Sequence, residues 1–568
     1  MRQNNEHRNK NMLLIVAFAF VAFVIITLRA FQISVQKEVN DVDLVQMNEK
    51  EFSRSSITSA NRGTIYDSQS RPIAMDTTSY SLYAVLKKDG YEEAVEEPEY
   101  VSKRLAEILD MNRDELLNKL LTKNVYQVEF GAKGRKLSKE IRDKIKAANL
   151  KGIHFKEETK RVYVNDFYAS HIIGYSAVNQ ELSEGLSVDI QEGKMGLELL
   201  FDKQLSGVEA YKSRVLKGET DNYLAGQDLY LTLDSRLQNY LEELMSNAFQ
   251  HYKPKQMMGY LVEVETGKLL AATQRPTFNL NTLEGVDKEW RNLLVEESYE
   301  PGSTIKILTL ASAIEKGTIS LNEYFESGKI DVYDQEVRDY NRYGWGPITF
   351  EQALIRSSNV GMVKIVEKMG VDQWQQELVK YGFGQKTESG FVNESAGNIN
   401  FDNPVNAMMS SFGQGLSVTP IQLLESFIAI GNKGERLQIQ MVDGIGSQQT
   451  IQKKSLGQVM KVETARTILN IMQKSTTEDY GTGLVFHNPN INVAVKTGTA
   501  EIANTEKSGY LTGENDYLYS VISFFPAEKP KYMLYLAVKQ PEAETSLNGT
   551  HILAEIFNKF VDYVVIRN

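Results

Sequence analysis

The apolar positions of this chain fall into three rhythms. The first is a continuous run of 17 residues from Met12 to Leu28, broken only by Thr27. As a helix it would span roughly 25 Å, the short end for a bilayer. Ala30, Phe31 and Ile33 extend it while Arg29 snorkels. Arg2, Arg8 and Lys10 precede it against Glu6 alone. The positive-inside bias therefore places residues 1–11 in the cytoplasm and the remainder outside. No small-x-small cleavage site follows Leu28, so residues 12–33 are expected to stay as an uncleaved transmembrane anchor.

The second rhythm is mixed. Glu38 to Phe52 is polar and charged and is predicted to form a helical stalk. Residues near 55 to 225 then alternate short β-rich stretches with helices predicted over Tyr100–Leu109, Asp114–Leu121 and Ser138–Ala148. The last of these has a charged, solvated side. This region holds no candidate catalytic set and reads as a spacer domain, residues 34–225.

The third rhythm, from 226 to 568, has β-rich runs, read as strands, near Met258–Val264, Lys268–Thr273, Asn492–Lys496, Tyr519–Phe525 and Tyr532–Lys539. Helical patterns fill the stretch between the second and third of these, and an amphipathic helix is predicted over Ile552–Val565. The fold class is therefore α+β and multidomain, with an antiparallel sheet flanked by helices in its C-terminal part. One helix is unusual. Ser303 to Lys316 is apolar nearly all round (Ile305, Ile307, Leu308, Leu310, Ala311, Ala313 and Ile314) and is stopped by Gly317. A helix apolar on every side is buried. Pro301-Gly302 bends the chain just before it.

Ser303 opens that helix, where free N–H groups favour a developing oxyanion. Lys306 lies one turn on, on the same face. Burial lowers the pKa of an ammonium, which turns a lysine into a base for the Ser303 proton. Ser357-Ser358-Asn359 follows 54 positions after Ser303, in a predicted helix-to-helix corner. There Ser357 can relay a proton to a leaving amine and Asn359 can hold a substrate amide. Lys496-Thr497-Gly498 follows the strand pattern ending at Val495. Lys496 and Thr497 can bind a terminal carboxylate, and Gly498 lets an extended peptide pair with the strand edge.

Each string alone is weak. A chain of this length holds about two S-x-x-K by chance, and Ser34-Val35-Gln36-Lys37 is such a decoy, as Ser546-Leu547-Asn548 is for S-x-N. A helix cap and an ordinary edge strand are the bland alternatives for the second and third strings. Order and context separate the set from the decoys.

Composition narrows the partners. A net charge of −11 argues against nucleic-acid binding over the chain as a whole. The absence of cysteine permits an exported protein without disulfides. The six histidines, His7, His154, His171, His251, His487 and His551, include no pair at ligand spacing, so neither metal nor other cofactor is expected.

Taken together, the three strings resemble those of class B penicillin-binding proteins, monofunctional peptidoglycan DD-transpeptidases, and most of all the division-type enzymes of Gram-positive cocci. The resemblance extends further. Arg62-Gly63-Thr64-Ile65-Tyr66-Asp67, the stretch Arg161 to Tyr175, and Gly196-Leu197-Glu198 with Phe201-Asp202 and Leu205-Ser206-Gly207 resemble the three motifs of the family's pedestal. Asp228 to Gln238 and Ser411 to Pro420 resemble two blocks of its transpeptidase domain. Val495, Glu263 and the segment Gly390 to Asn398 depart from the usual pattern without removing a catalytic group.

The resemblance implies a five-stranded sheet of the β-lactamase/transpeptidase type. It implies that Ser303 attacks the D-Ala-D-Ala carbonyl of a stem peptide, with Lys306, Ser357, Asn359 and Lys496 assisting and Thr497, Gly498 and Thr499 binding the substrate. The N–H groups of Ser303 and Thr499 would form the oxyanion hole. β-Lactams would acylate the same serine. Partners would be peptidoglycan stem peptides, a septal membrane glycosyltransferase and other division proteins. A DD-carboxypeptidase or β-lactamase, resolved by water, is the main alternative. No E-x-x-L-N stands between the second and third strings to position such a water.

Overall fold

The computed structural model describes residues 17–18, 20–29, 38–39, 42–43, 61–87, 93–183, 186–207, 226–401, 403–447, 449–504, 507, 509–542 and 548–567. The chain divides into two compact units. One comprises residues 1–59 with 178–190, the other 60–177 with 191–568.

The second unit is organised by a five-stranded sheet. Its order is Leu269–Arg275, Gln256–Glu263, Tyr532–Lys539, Tyr517–Phe525 and Ala494–Glu501. Every neighbouring pair is antiparallel. The period-two alternation divides the side chains between two cores. Met258, Tyr260, Ile522, Phe524, Met533 and Tyr535 join the core containing helix Lys306–Lys316. Met257, Leu261, Val521, Leu534 and Leu536 join the core against helices Ser235–Tyr252 and Gly549–Arg567. Strands covered on both faces read as nearly continuous apolar runs, as Tyr532–Lys539 does.

The third motif corrects the sequence expectation. The strand was expected to end at Lys496, before the glycine. Instead it runs from Ala494 to Glu501, and Lys496, Thr497, Gly498 and Thr499 pair with Ile522, Val521, Ser520 and Tyr519. The alternation puts Lys496 on the same side as Ala494 and Ala500, which belong to the core of helix Lys306–Lys316.

A second, seven-stranded sheet joins the region before residue 226 to the region after it. Its path runs Gln449–Thr450, Val442–Ile445, Leu229–Leu231, Ile65–Tyr66, Pro72–Val85 and Gln127–Glu129, with Ile153–Tyr163 also paired to Pro72–Val85. Ile65–Tyr66 and Leu229–Leu231 are parallel partners. The division drawn at 225/226 along the chain is thus not a break between separate sheets.

The three pedestal motifs meet in one buried ion network. Glu198 accepts from Arg62 Nε at 2.5 Å and from Arg161 Nε at 2.8 Å. Arg62 Nη1 reaches Asp202 at 2.6 Å, Arg161 Nη1 reaches Asp76 at 3.2 Å, and Tyr163 donates to Glu198. Their scattered positions in the sequence are explained by this convergence. His171 Nε2 donates to the Glu289 carbonyl at 2.8 Å, and burial pushes its pKa down to about 4. It is a neutral packing residue.

Helices Pro98–Leu109, Arg113–Leu120 and Lys139–Ala147 lie within two residues of their predicted ends. Asn112 and Ser138 cap the last two through their side chains. In the first unit, Glu38–Val39 and Val42–Asp43 pair as antiparallel strands, so the predicted helical stalk is not helical at those four residues. Its remainder lies outside the described residues. Among the described residues no helix is long and apolar enough to cross a membrane. Of the predicted anchor, residues 17–18 and 20–29 are described, and they are helical.

Candidate active site

The nucleophile candidate sits in a tight turn. Gly302–Ile305 is a 3-10 turn, and the α-helix proper begins at Lys306. This shifts the expected helix start by three residues. Lys306 through Ala313 are buried, as the all-round apolar pattern requires. Ser303 is half-buried, and among the described residues its hydroxyl makes no hydrogen bond.

Two backbones press on this turn. Gly302 donates to the Gly413 carbonyl at 3.1 Å. A Cβ on Gly302, whose φ is +55°, would stand 2.7 Å from the Thr499 carbonyl oxygen, and one on Gly413 would stand 2.0 Å from the Gly302 carbonyl oxygen. Only glycine permits both approaches. They set the Ser303 turn against the strand at Thr499, which is half of the expected oxyanion arrangement. The Ser411–Pro420 block backs the turn from the other side. Its end also carries a legible signal, Thr419-Pro420 with Gln422, which forms a capping box with proline at the first turn of helix Pro420–Gly431.

The second motif occupies the corner between helices Phe350–Ile355 and Asn359–Met369. Ser358 caps the latter, accepting from Gly361 N–H at 2.9 Å. Ser357 is held in the left-handed region at φ 59°, a conformation costing about 1–2 kcal/mol for a non-glycine residue. The reward is that its hydroxyl lies between two ammonium groups. Lys306 Nζ donates to Ser357 O at 2.7 Å, to Asn359 Oδ1 at 2.7 Å and to Ser357 Oγ at 3.2 Å. Lys496 Nζ donates to Ser357 Oγ at 2.9 Å and to the Thr497 carbonyl at 2.8 Å. Asn359 is gripped at its other end, where Nδ2 donates to Arg338 O at 2.8 Å. One of its roles is therefore to orient Lys306, which the sequence reading did not assign.

Electrostatics separate the two lysines. Lys306 is fully buried, and burial, reinforced by repulsion from Lys496 and opposed by Asp339, holds its pKa well below the ordinary lysine value. Burial alone brings Lys496 down to about 7. Every contact is compatible with a neutral Lys306 beside a charged Lys496. Lys306 then donates through its two 2.7 Å contacts, and the 3.2 Å contact reverses, with Ser357 O–H donating to the lone pair. That is a relay from Lys496 through Ser357 to Lys306, one turn from Ser303.

Sequence reasoning missed Asp339, which is 3% exposed. Its carboxylate accepts from Ser358 Oγ at 2.8 Å, Val360 N–H at 3.0 Å and Gly328 N–H at 2.8 Å. It pins the whole corner and counters the burial of Lys306. No spacing rule marks it, because it follows the short strand Gln335–Arg338 in an irregular segment. Gly498 has a legible role. A Cβ there would lie 2.4 Å from Ser520 Oγ and 3.0 Å from Thr304 Cγ2, so glycine lets the strand close on the nucleophile turn. Thr497 is buried and Thr499 exposed at the strand's outer part. The decoys Ser34 and Ser546 lie outside the described residues.

A serine, two buried lysines whose pKa values burial lowers and a bridging second serine, set at the edge of an antiparallel sheet flanked by helices, define a serine acyl-transfer enzyme of the penicillin-recognising class. The chain belongs to the penicillin-binding protein transpeptidase family. The family model for the penicillin binding protein transpeptidase domain matches residues 257–562, and that for the penicillin-binding protein dimerisation domain matches residues 57–226. Stage V sporulation protein D of Bacillus subtilis (strain 168) is 30% identical over 97% of this chain and 84% of its own. Peptidoglycan D,D-transpeptidase FtsI of Escherichia coli (strain K12) is 28% identical over 92% of this chain and 86% of its own. The crystal structure of penicillin binding protein 2X from Streptococcus thermophilus superposes with a TM-score of 0.76 at 31% identity, covering 90% of this chain and 80% of that one.

Proposed function

We propose that this chain is a peptidoglycan D,D-transpeptidase of cell-wall synthesis that works through an acyl-enzyme on Ser303. The observation that carries the reading is the convergence of Lys306, Ser357, Asn359 and Lys496 beside the Ser303 turn, from three separate segments. Lys306 takes the proton as Ser303 Oγ attacks the penultimate D-Ala carbonyl. The tetrahedral oxyanion rests on the N–H groups of Ser303 and Thr499. Ser357 returns a proton to the leaving amine, and the C–N bond breaks to release D-Ala. The amine of a neighbouring stem peptide then attacks the ester, restoring Ser303 and forming the cross-link. Lys496 and Thr497 hold the donor carboxylate, while the Thr497–Thr499 edge, with Gly498, pairs with the donor backbone. Penicillins acylate the same serine.

Placement belongs to the same proposal. The N-terminal run is the membrane anchor, with residues 1–11 cytoplasmic and the catalytic part outside. Supporting this, Phe18, Phe20, Phe23, Ile25, Ile26 and Leu28 of its helix are all exposed, a surface suited to lipid. Septal duty, with a membrane glycosyltransferase and division proteins as partners, rests on the sequence resemblance to division-type enzymes. The catalytic claim is tested by supplying a D-Ala-D-Ala stem peptide as donor and an amine-bearing stem peptide as acceptor. Equimolar D-Ala and cross-linked product are expected. Release of D-Ala with water as the sole acceptor, at every acceptor concentration tried, would assign a carboxypeptidase instead.

A further inference from the structure

Three residues before Ser303, Glu300 ties three segments together. Its Oε1 accepts from the Gly415 N–H at 3.0 Å and from the Tyr510 hydroxyl at 3.1 Å. Gly415 belongs to the Ser411–Pro420 block. Tyr510 belongs to the loop that leaves the Lys496-Thr497-Gly498 strand, where Leu511 N–H donates to Ile502 O at 2.9 Å. The same stretch is held by backbone bonds from Tyr299 to Val418 and from Gly302 to Gly413. Glu300 Oε2 is buried and, among the described residues, makes no hydrogen bond.

We propose, building on the acyl-enzyme reading above, that Glu300 is a positioning residue for acylation: it locks the Ser303 turn to the Gly415 backbone and to Tyr510, fixing the distance between the Ser303 and Thr499 N–H groups. Two halves of the oxyanion hole lie on different elements, the nucleophile turn and the strand. Nothing covalent sets their spacing, and a displacement of about 1 Å in such a pair can cost a hundredfold in rate. Glu300 is the side chain that bonds from the first element to the loop continuing the second.

Burial and the groups facing Glu300 together favour its neutral form. From the strand end comes Glu501, a like charge, itself accepting from Gln414 Nε2 at 2.6 Å. From the loop comes Tyr510, and from the Ser411–Pro420 block the Gly415 N–H. Among the described residues no cation pairs with Glu300. Burial first, with the Glu501 charge adding to it and the two hydrogen bonds opposing, raises its pKa to about 7. Ionisation would leave Oε2 charged, buried and unpartnered. It would also put negative charge behind a developing oxyanion.

The test compares the second-order rate of penicillin acylation for wild type, Glu300→Gln, Glu300→Ala and Tyr510→Phe between pH 5.5 and 8.5. At pH 6, Glu300→Gln keeps both acceptor bonds and is expected within about threefold of wild type, while Glu300→Ala loses about tenfold or more. The ratio of Glu300→Gln to wild type is expected to rise as pH passes through about 7, because only wild type ionises there. Tyr510→Phe should lose a few-fold, and adding it to Glu300→Ala should cost little more, since they share one bond. A pH-independent ratio, or Glu300→Ala acylating like wild type, overturns the proposal. Failure of Ser303→Ala to stop acylation would instead overturn the functional reading itself, so the two failures are distinguishable.

Discussion

Lys306→Arg is expected to lower the acylation rate on the order of a thousandfold or more, the scale of losing a catalytic proton acceptor. The guanidinium stays charged and offers no lone pair. Lys306 is also fully enclosed, with hydrogen-bond partners at 2.7, 2.7 and 3.2 Å, so neither charge nor shape is tolerated. Lys496→Arg should be far milder, because there a positive charge is what a substrate carboxylate needs. The pH profile adds a second discriminator. Loss of the Lys306 proton gives a rising limb, whose midpoint lies well below the ordinary lysine value because of burial and of repulsion from Lys496. Lys496, lowered by burial to about 7, adds a falling limb as its charge is lost. Wild type should therefore be bell-shaped in its second-order acylation rate, with apparent values belonging to the coupled pair. In Lys496→Arg the falling limb from this group should vanish. Equal losses in the two arginine variants would contradict this division of roles, and the reverse ordering would show the roles to be exchanged.

Glu198→Ala is expected to destabilise the pedestal by about 3–5 kcal/mol, since it removes the buried carboxylate shared by two buried guanidinium groups and leaves Arg62 with Asp202 and Arg161 with Asp76 alone. Thermal unfolding and the onset of proteolysis between residues 61 and 207 are the readouts, because a protein of several domains need not unfold in one step. Acid should mimic the substitution. Burial alone would raise the Glu198 pKa, but Arg161 and Arg62 outweigh it and the net pKa lies below the ordinary glutamate value of 4.5. Its contribution is therefore fully present above about pH 4.5 and is lost as pH falls through the lower folded-state value. Unchanged proteolysis and melting in Glu198→Ala would mean the network is not what joins the three pedestal motifs.

Much of this was legible in the chain because the signals were local. A nearly continuous apolar run marked Tyr532–Lys539, and all-round apolarity marked the buried helix behind Ser303, since burial on both faces removes polar positions. What escaped depends on contacts distant in sequence. Asp339 secures the second motif from an irregular segment, and Glu300 reaches Gly415 and Tyr510 across more than a hundred residues. The end of the strand at Lys496 was misplaced because glycine ordinarily punctuates a strand. Here the partner backbone Tyr517–Phe525 carries the ladder past it. Likewise the seven-stranded sheet spans the boundary at 226, because a parallel pairing between Ile65–Tyr66 and Leu229–Leu231 leaves no trace in either segment alone.

The central claim is that Ser303, and no other hydroxyl, carries the acyl group. Its most direct measurement is mass spectrometry of peptides from the penicillin-labelled chain. One adduct is expected, on the peptide containing Ser303, and none in Ser303→Ala. An adduct on another residue, or full labelling of Ser303→Ala, would contradict it.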